Sequence, residues 1–445
     1  MGSPKRFVAS RGNVRDSLLM AFDLTWKVQI ADCAGTLDVT SFVFDGLVDM
    51  NAYIGQQGRS TAQITINNQS GAFTPFGSGT YANVNWFAKA LVIRASSVST
   101  GQDNIIFSGL ITDFTVNNES KFQSTVSLVA KDFLTIAGRT NSTSNPFTAL
   151  VNYPSFIINK MIPAVSDPYF GFIPTPFVGG TSSSEISISS ATAVDSILET
   201  AEFPQGPLSD WISNYMMPSM PGTIFMDGYT NTATLWTWEG RVIDRTLNRT
   251  DAGQRTYSFV DKNATSGEIP YFAIDVNFAL DVLTNDATCK LADASYSVQK
   301  SDSVSGNLYG VRSRNYSTLT NNQNADVNYV ANFWVNRYSV PRYIPVSVGT
   351  SYAVLKGNAV DDGVALTAFI DLLTARTALW NRIGIEYQLT GMNSSAVAQV
   401  VANSRQVTFN PSNTTITLGV VAGADNQSFE LNSSTYGILD TNRLG

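Results

Sequence analysis

Apolar and polar residues alternate one by one through the first third of the chain, and this period of two restricts the fold most. Ala62, Ile64 and Ile66 fall on one side of an extended chain, with polar residues between them. A strand with one buried and one solvated face has this pattern. Similar segments, separated by polar turns, cover residues 88–96, 104–116 and 122–132. Short strands in regular succession favour an antiparallel β-barrel or sandwich over residues 36–140.

The period changes after residue 140, where helical spacing replaces alternation. Helices are predicted over residues 154–163, 189–203 and 206–217. A hairpin with two turn signals follows over residues 221–241. Helices followed by a hairpin predict a small α+β domain over residues 141–250.

Strand-like segments return from Thr256 onward, and two helices are predicted between them. Their expected buried faces are Val327, Val330, Ala331 and Trp334 in the first helix, and Leu366, Phe369, Ile370 and Leu373 in the second, with Trp380 further along that face. The first helix must end before Pro341, which cannot continue it. Residues 251–445 are therefore predicted to form a second β-rich domain with inserted helices. At the other end of the chain, residues 1–35 are predicted to form an N-terminal arm.

Charged residues make up only 14% of the 445 residues, against roughly 25% in typical soluble domains. The surface must therefore consist largely of Ser, Thr, Asn and Gln. Such a surface repels its own copies weakly and suits a protein within an assembly, although an ordinary neutral β-rich protein has the same composition. The net charge of −7 predicts no general affinity for nucleic acid. No apolar run is long enough to predict a membrane span or a secretory signal.

The sequence contains no histidine, which removes the commonest general base and metal ligand. The remaining candidates are carboxylates. Asp361 and Asp362 precede a predicted helix and are expected to supply its caps, and Glu199 and Glu202 are expected to lie on a solvated helix face. The spacing of Asp275, Asp281 and Asp286 matches no known ligand pattern. No phosphate-binding loop, dinucleotide motif or nucleophile elbow occurs. We therefore expect no enzyme activity, no catalytic or metal residues and no cofactor. The two cysteines, Cys33 and Cys289, are expected to be buried free thiols.

Trp236 and Trp238 lie on the same face of one predicted strand. Two tryptophans in this arrangement can form a stacking platform for a sugar ring. The same alternation describes a core face covered by the preceding helices, which is the favoured interpretation.

Several segments, taken in order along residues 36–445, resemble the minor tail proteins of siphophages. Residues 39–82 are similar to the family's opening pattern A-x-x-x-L-x-N-x-x-G-x-F-x-P, and "FSGLITDF" is similar to its F-x-G strand. "YGVRSRNYSTL", "ANFWVNRYSVPRYIPVSV" and the terminal "FELNSSTYGILDTNRLG" resemble the last third. The positions that carry the motifs are Asn68, Gly71, Phe73, Pro75, Gly109, Tyr309, Gly310, Pro341, Gly437, Leu439 and Asp440.

The resemblance implies an α+β, mainly β fold, with two antiparallel tube-like β-barrel domains separated by a small α+β domain. It implies a tail-hub or distal-tail protein of the virion, assembled in the bacterial host cytoplasm. Its partners would be its own copies, in a ring expected to be a homotrimer, and the tube, distal-tail and receptor-binding proteins. DNA would pass through the bore without sequence-specific binding. The first alternative to this hub protein is a tail adhesin that binds host-surface glycan. The second is a carboxylate-dependent glycan or peptidoglycan hydrolase.

Overall fold

The computed structural model describes part of the chain between residues 24 and 422. The described residues are 24–32, 35–82, 84–86, 89–120, 123–132, 135, 150–152, 188–190, 198–200, 207–219, 222–227, 232–237, 256–261, 264–265, 267–277, 283–321, 323–341, 344–357, 363–374 and 378–422. Within them the chain is mainly β, with short helices between the strands.

The N-terminal β region follows the predicted alternation. Its strands are β1 (Thr25–Asp32), β2 (Gly35–Asp38), β3 (Val43–Asn51), β4 (Gln56–Gln57), β5 (Arg59–Asn67), β6 (Ala90–Ser97), β7 (Gln102–Ser120) and β8 (Gln123–Lys131). All but β4 form one antiparallel run in the order β3-β5-β8-β7-β6-β1-β2. Ala62, Ile64 and Ile66 of β5 are buried, which confirms the predicted buried face.

The middle of the chain is only partly as predicted. Its strands are β9 (Leu150–Asn152), β10 (Ile188–Ser190), β11 (Leu198–Thr200), β12 (Gly222–Asp227) and β13 (Thr232–Thr237). The predicted hairpin is present as β12 and β13, and helical turns cover 208–219. The helix predicted over residues 189–203 is wrong at Leu198–Thr200, which form the strand β11 and pair with β9. Pairing with a distant strand outweighs local helical spacing. The helix predicted over 154–163 lies outside the described residues.

The C-terminal β region contains β14 (Thr256–Val260), β15 (Ile269–Pro270), β16 (Ala273–Asn277), β17 (Asp286–Leu291), β18 (Ser297–Ser301), β19 (Ser313–Leu319), β20 (Ile344–Ser351), β21 (Arg382–Tyr387), β22 (Ala396–Asn410) and β23 (Asn413–Ala422). Strands β18, β17 and β19 form a small separate sheet. Its helices are Ser303–Tyr309, Asn324–Tyr338, Tyr352–Gly357 and Gly363–Leu372.

The two predicted helix faces are buried, with one correction. Val327, Val330, Ala331 and Trp334 of the first helix, and Leu366, Phe369 and Ile370 of the second, lie in the core. Trp380 does not continue the second helix, which ends at Leu372. It has a positive φ of 58°, and its indole N–H donates to the Ala52 carbonyl at 3.1 Å. Trp380 is thus held by a segment more than 300 residues away in sequence.

An antiparallel pairing joins the N-terminal and C-terminal β regions, and we call this contact the seam. Strand β3 pairs with β22 from Gly46↔Phe409 to Asn51↔Ser404. Phe409 lies over Gly46 and stacks on Trp26, with ring centroids 4.1 Å apart. The Trp26 indole donates to the Thr414 hydroxyl at 2.8 Å. The apolar core continues across the seam, so both β regions share one interior.

The sheet that crosses the seam has fourteen strands and runs from β15 at one end to β2 at the other, with β23, β20 and β16 branching from β22. Among the described residues these pairings leave the sheet open. The mainly β fold class is confirmed, whereas closure into two barrels is not. No helix in the described part of the chain combines the length and apolar character needed to cross a membrane.

Candidate functional site

The motif residues after β5 form one loop, anchored by a buried asparagine. The Asn68 side-chain oxygen accepts from the Phe73 backbone N–H at 2.9 Å. Its amide nitrogen donates to the hydroxyls of Thr74 and Ser124, each at 3.0 Å. The Asn68 backbone N–H also donates to the Ser124 carbonyl at 2.9 Å. Because the amide holds both ends of the turn and strand β8 together, Asn68 fixes the loop to the sheet.

Phe73 is the apolar anchor of the same loop. Its fully buried ring lies 4.9 Å from the Tyr81 ring, 5.2 Å from the Phe42 ring and 5.9 Å from the Trp86 ring. Gly71 precedes it at a φ of 69°, a conformation that favours glycine. The predicted motif positions Asn68, Gly71 and Phe73 therefore hold one loop together: the Asn68 amide ties it to the sheet, Gly71 allows the turn, and the Phe73 ring packs in the core.

The tip of this loop contains a residue that is not among the predicted motif positions. Pro75 is exposed, and the next residue, Phe76, is fully solvent-exposed at 100%. Phe76 also has a φ of 60°, which is unfavourable for a residue with a Cβ. Its place between Pro75 and Gly77, in a stretch without charge, is the sequence signal that could have drawn attention to it.

Gly109 lies inside β7, where the sequence predicts a bulge or a close approach. A Cβ at this position would lie 2.2 Å from the Lys131 carbonyl oxygen, so only glycine allows the backbones to approach this closely. The pairing of β7 is irregular on both sides of Gly109, since Ile106 and Thr112 are skipped in the registers with β6 and β8.

Tyr309 and Gly310 belong to a second, separate group. They end the helix Ser303–Tyr309, and Gly310 has a φ of 77°. Buried Asn285 holds this segment: its amide nitrogen donates to the Gly310 carbonyl at 2.9 Å, and its side-chain oxygen accepts from the Arg312 N–H at 2.7 Å. Tyr309 itself is exposed.

Pro341 follows the helix Asn324–Tyr338 and is half-buried. The turn before it contacts the helix Ser303–Tyr309, because the Ser305 hydroxyl donates to the Ser339 carbonyl. Gly437, Leu439 and Asp440 lie outside the described residues. The family-motif role of all these positions stays a prediction.

The candidate carboxylates that are described have structural partners. Asp286 accepts from the Gln299 amide and the Ser313 hydroxyl, both at 2.8 Å. Asp275 accepts from the Ser347 hydroxyl at 2.6 Å. Asp281, Asp361, Asp362 and Glu202 lie outside the described part, as does the side chain of Glu199. In the part that is described, no group of three or more His, Cys, Asp or Glu residues could hold a metal ion.

Cys289 is expected to be unreactive in the folded protein. It is fully buried in β17 as a free thiol, and burial raises its pKa to about 12. Only the thiolate attacks disulfide reagents, so at pH 8 roughly one thiol in ten thousand would be reactive. In a Cys33→Ser variant, which leaves Cys289 as the remaining thiol, DTNB should release its chromophore only after urea is added. Rapid reaction of the native variant would contradict this assignment. Cys33 lies outside the described residues.

Solved tail proteins are similar in fold to this chain. The tail protein from Neisseria meningitidis MC58 matches with a TM-score of 0.52 at 10% identity, over 88% of this chain and 96% of that one. The prophage MuSo2 43 kDa tail protein from Shewanella oneidensis matches with a TM-score of 0.52 at 10% identity, over 90% and 99%. No protein-family model and no curated protein sequence matches. The chain therefore shares the fold of phage tail proteins, as the sequence resemblance predicts.

Proposed function

We propose that this chain is a structural hub protein of a phage tail tip, which closes or extends the tail tube and docks receptor-binding proteins. Residues 36–140 and 251–445 would be its two tube-like β-barrel domains, and residues 141–250 the α+β domain between them. The work is mechanical and needs no catalysis or cofactor. Its place is the virion.

The observation that carries this proposal is the seam. Strands β3 and β22 place the two β regions of one chain side by side in a continuous sheet, with Trp26 and Phe409 stacked across the contact. Two tube-like units in one subunit must lie side by side in this way to contribute neighbouring segments of a ring. The tail-protein fold over most of the chain supports the same conclusion.

Electron microscopy tests the tail location. An antibody against the purified chain should label phage particles at one end of the tail, and labelling of the capsid alone would contradict the proposal. Light scattering tests the homotrimer, whose mass should be three times the 48.1 kDa of the monomer. Association with tube and receptor-binding proteins is tested by co-expression and co-purification.

A Trp236→Ala variant discriminates the hub from the glycan-binding adhesin. Trp236 lies on β13, which pairs with both β10 and β12, while its side chain and Trp238 lie outside what the structure describes. If the two tryptophans form a core face, the variant should lose about 3–5 kcal/mol of unfolding free energy. If they form a sugar platform, it should keep its stability and lose binding to host cell-wall glycan. Calorimetric unfolding and a glycan pull-down separate the two results.

A further inference from the structure

Phe76 combines two unfavourable features. Its ring is fully exposed to water, and its backbone is in the left-handed region that disfavours a Cβ. The rest of the loop is tightly held through Asn68 and Phe73. An exposed, strained aromatic residue on a well-anchored loop is typical of a residue that contacts a partner.

Phe44 lies at the same end of the sheet and is also exposed, at 66%. In the pairing of β3 with β5, Val43 is opposite Ile66 and Asp45 is opposite Thr65, so Phe44 is the extra residue of a β-bulge. Bulges redirect side chains, and this one leaves a phenylalanine in water. We call Phe44 and Phe76 the aromatic tip.

Both tip residues lie within three residues in sequence of one aromatic cluster, formed by Phe42, Phe73 and Tyr81. Phe42, two residues before Phe44, packs 5.2 Å from Phe73 and 6.2 Å from Tyr81. No charged residue occurs in the sequence from Ser60 to Ala88, which includes the whole loop. The exposed Asp45 lies beside Phe44. Around Phe76 a charged partner surface would lose its hydration without gaining an opposite charge, so this part of the tip fits an uncharged apolar surface.

The chain itself carries such a surface around the helix Ser303–Tyr309, which we call the apolar ridge. Residues 303–311 contain no charge. Four of their large apolar side chains are exposed: Val304, Leu308, Tyr309 and Val311. Asn285 holds the ridge in place through Gly310 and Arg312, so it is presented as a rigid surface.

The tip and the ridge lie towards opposite ends of β3. Phe44 is at the start of this strand, and the seven residue steps to Asn51 extend it by roughly 23 Å. Just beyond Asn51, Gly55 faces the Trp334 ring, since a Cβ on Gly55 would lie 3.9 Å from it. Trp334 stacks on Tyr338, and the next residue, Ser339, contacts Ser305 of the ridge helix. The aromatic tip of one chain is therefore too far away to pack against the apolar ridge of the same chain.

We propose that the aromatic tip of one copy of this chain docks on the apolar ridge of the next copy. The inference rests on the proposed tail assembly and names the contact within it. Because the two surfaces differ, the contact is heterologous, and such contacts close into a ring or extend as a filament. Burial of the exposed area of the two phenylalanines contributes roughly 250–400 Å² to a standard interface of about 800 Å² per partner, so they form its centre.

Phe76→Asp and Val311→Asp test the contact by sedimentation velocity across a concentration series. Each variant should remain folded, because both side chains are exposed, and each should weaken self-association by at least about 30-fold, the effect of removing one interface anchor. Phe76→Gly, which also relieves the positive φ, should weaken association without any loss of stability. Val98→Asp is the matched control: Val98 is 88% exposed in the turn after β6, and its replacement should leave association unchanged.

Mixing the two Asp variants gives the sharpest result. The Phe76→Asp copy keeps its ridge and the Val311→Asp copy keeps its tip, so one intact contact remains and the mixture should form dimers of 2 × 48.1 kDa. A mixture that stays monomeric overturns the tip-to-ridge contact, as does a wild-type chain that is monomeric at every concentration. If antibody labels phage tails while the wild type stays monomeric, this inference and the expected homotrimer fail, and the proposed tail location stands. If the wild type assembles as described but is absent from tails, the proposed function fails.

Discussion

Replacing Gly46 with alanine should lower the free energy of unfolding by about 3 kcal/mol, the upper part of the usual range for overpacking. A Cβ at Gly46 would lie 2.1 Å from Cζ of Phe409. Phe409 cannot swing aside, because its ring is buried and stacked on Trp26 with an interplanar angle of 10°. The strain would therefore be transmitted to the β3–β22 pairing. Urea-induced unfolding, followed by Trp fluorescence, measures the loss.

A double variant assigns this loss to the seam. Gly46→Ala combined with Phe409→Leu should cost at least about 1 kcal/mol less than the sum of the two single changes, since the smaller side chain makes room for the new methyl group. Gly363→Ala is the matched control, because its Cβ would meet nothing within 4 Å. Strictly additive costs, or an equal loss in Gly363→Ala, would show that crowding against Phe409 is not the cause.

Replacing Phe73 with alanine should cost about 3–5 kcal/mol, the usual range for emptying a buried aromatic site. The ring is fully buried and contacts Phe42, Tyr81 and Trp86. Its removal leaves a cavity beneath the loop that Asn68 anchors. Urea unfolding of dilute protein, where the chain is unassociated, measures the effect.

Phe76→Gly is the control for this prediction within the same loop. Phe76 is fully exposed and has a positive φ, so glycine should cause no loss and can stabilise the monomer slightly. Two phenylalanines three residues apart are thus expected to give opposite results. Equal losses in both variants would mean that Phe73 is not the buried anchor of this loop.

The spacing of apolar residues along the sequence predicted much of the fold, because it shows which face of a strand or helix is buried. It placed Ala62, Ile64 and Ile66 on the buried face of β5, and it identified the helix that carries Val330 and Trp334. It failed at Leu198 because pairing with β9, almost fifty residues earlier, decides that segment.

Much of the candidate site depends on backbone geometry that residue type does not report. The motif drew attention to Asn68 and Phe73, but the strained and exposed position of Phe76 follows from how the loop is anchored. The exposure of Phe44 depends on a bulge in the β3–β5 register. Residue type alone predicts the reverse for both positions, because phenylalanine is usually a core residue.

The sequence by itself determined the alternating strands, the sparsely charged surface and the absence of every histidine-dependent chemistry. The tertiary structure decided which strands are neighbours, above all that β3 pairs with β22, more than 350 residues later. The physical reason is that an alternating pattern specifies the face a strand buries but not the strand beside it. Any edge can offer the same backbone hydrogen bonds, so side-chain fit makes the choice, here Gly46 beneath the Phe409 ring, which stacks on Trp26.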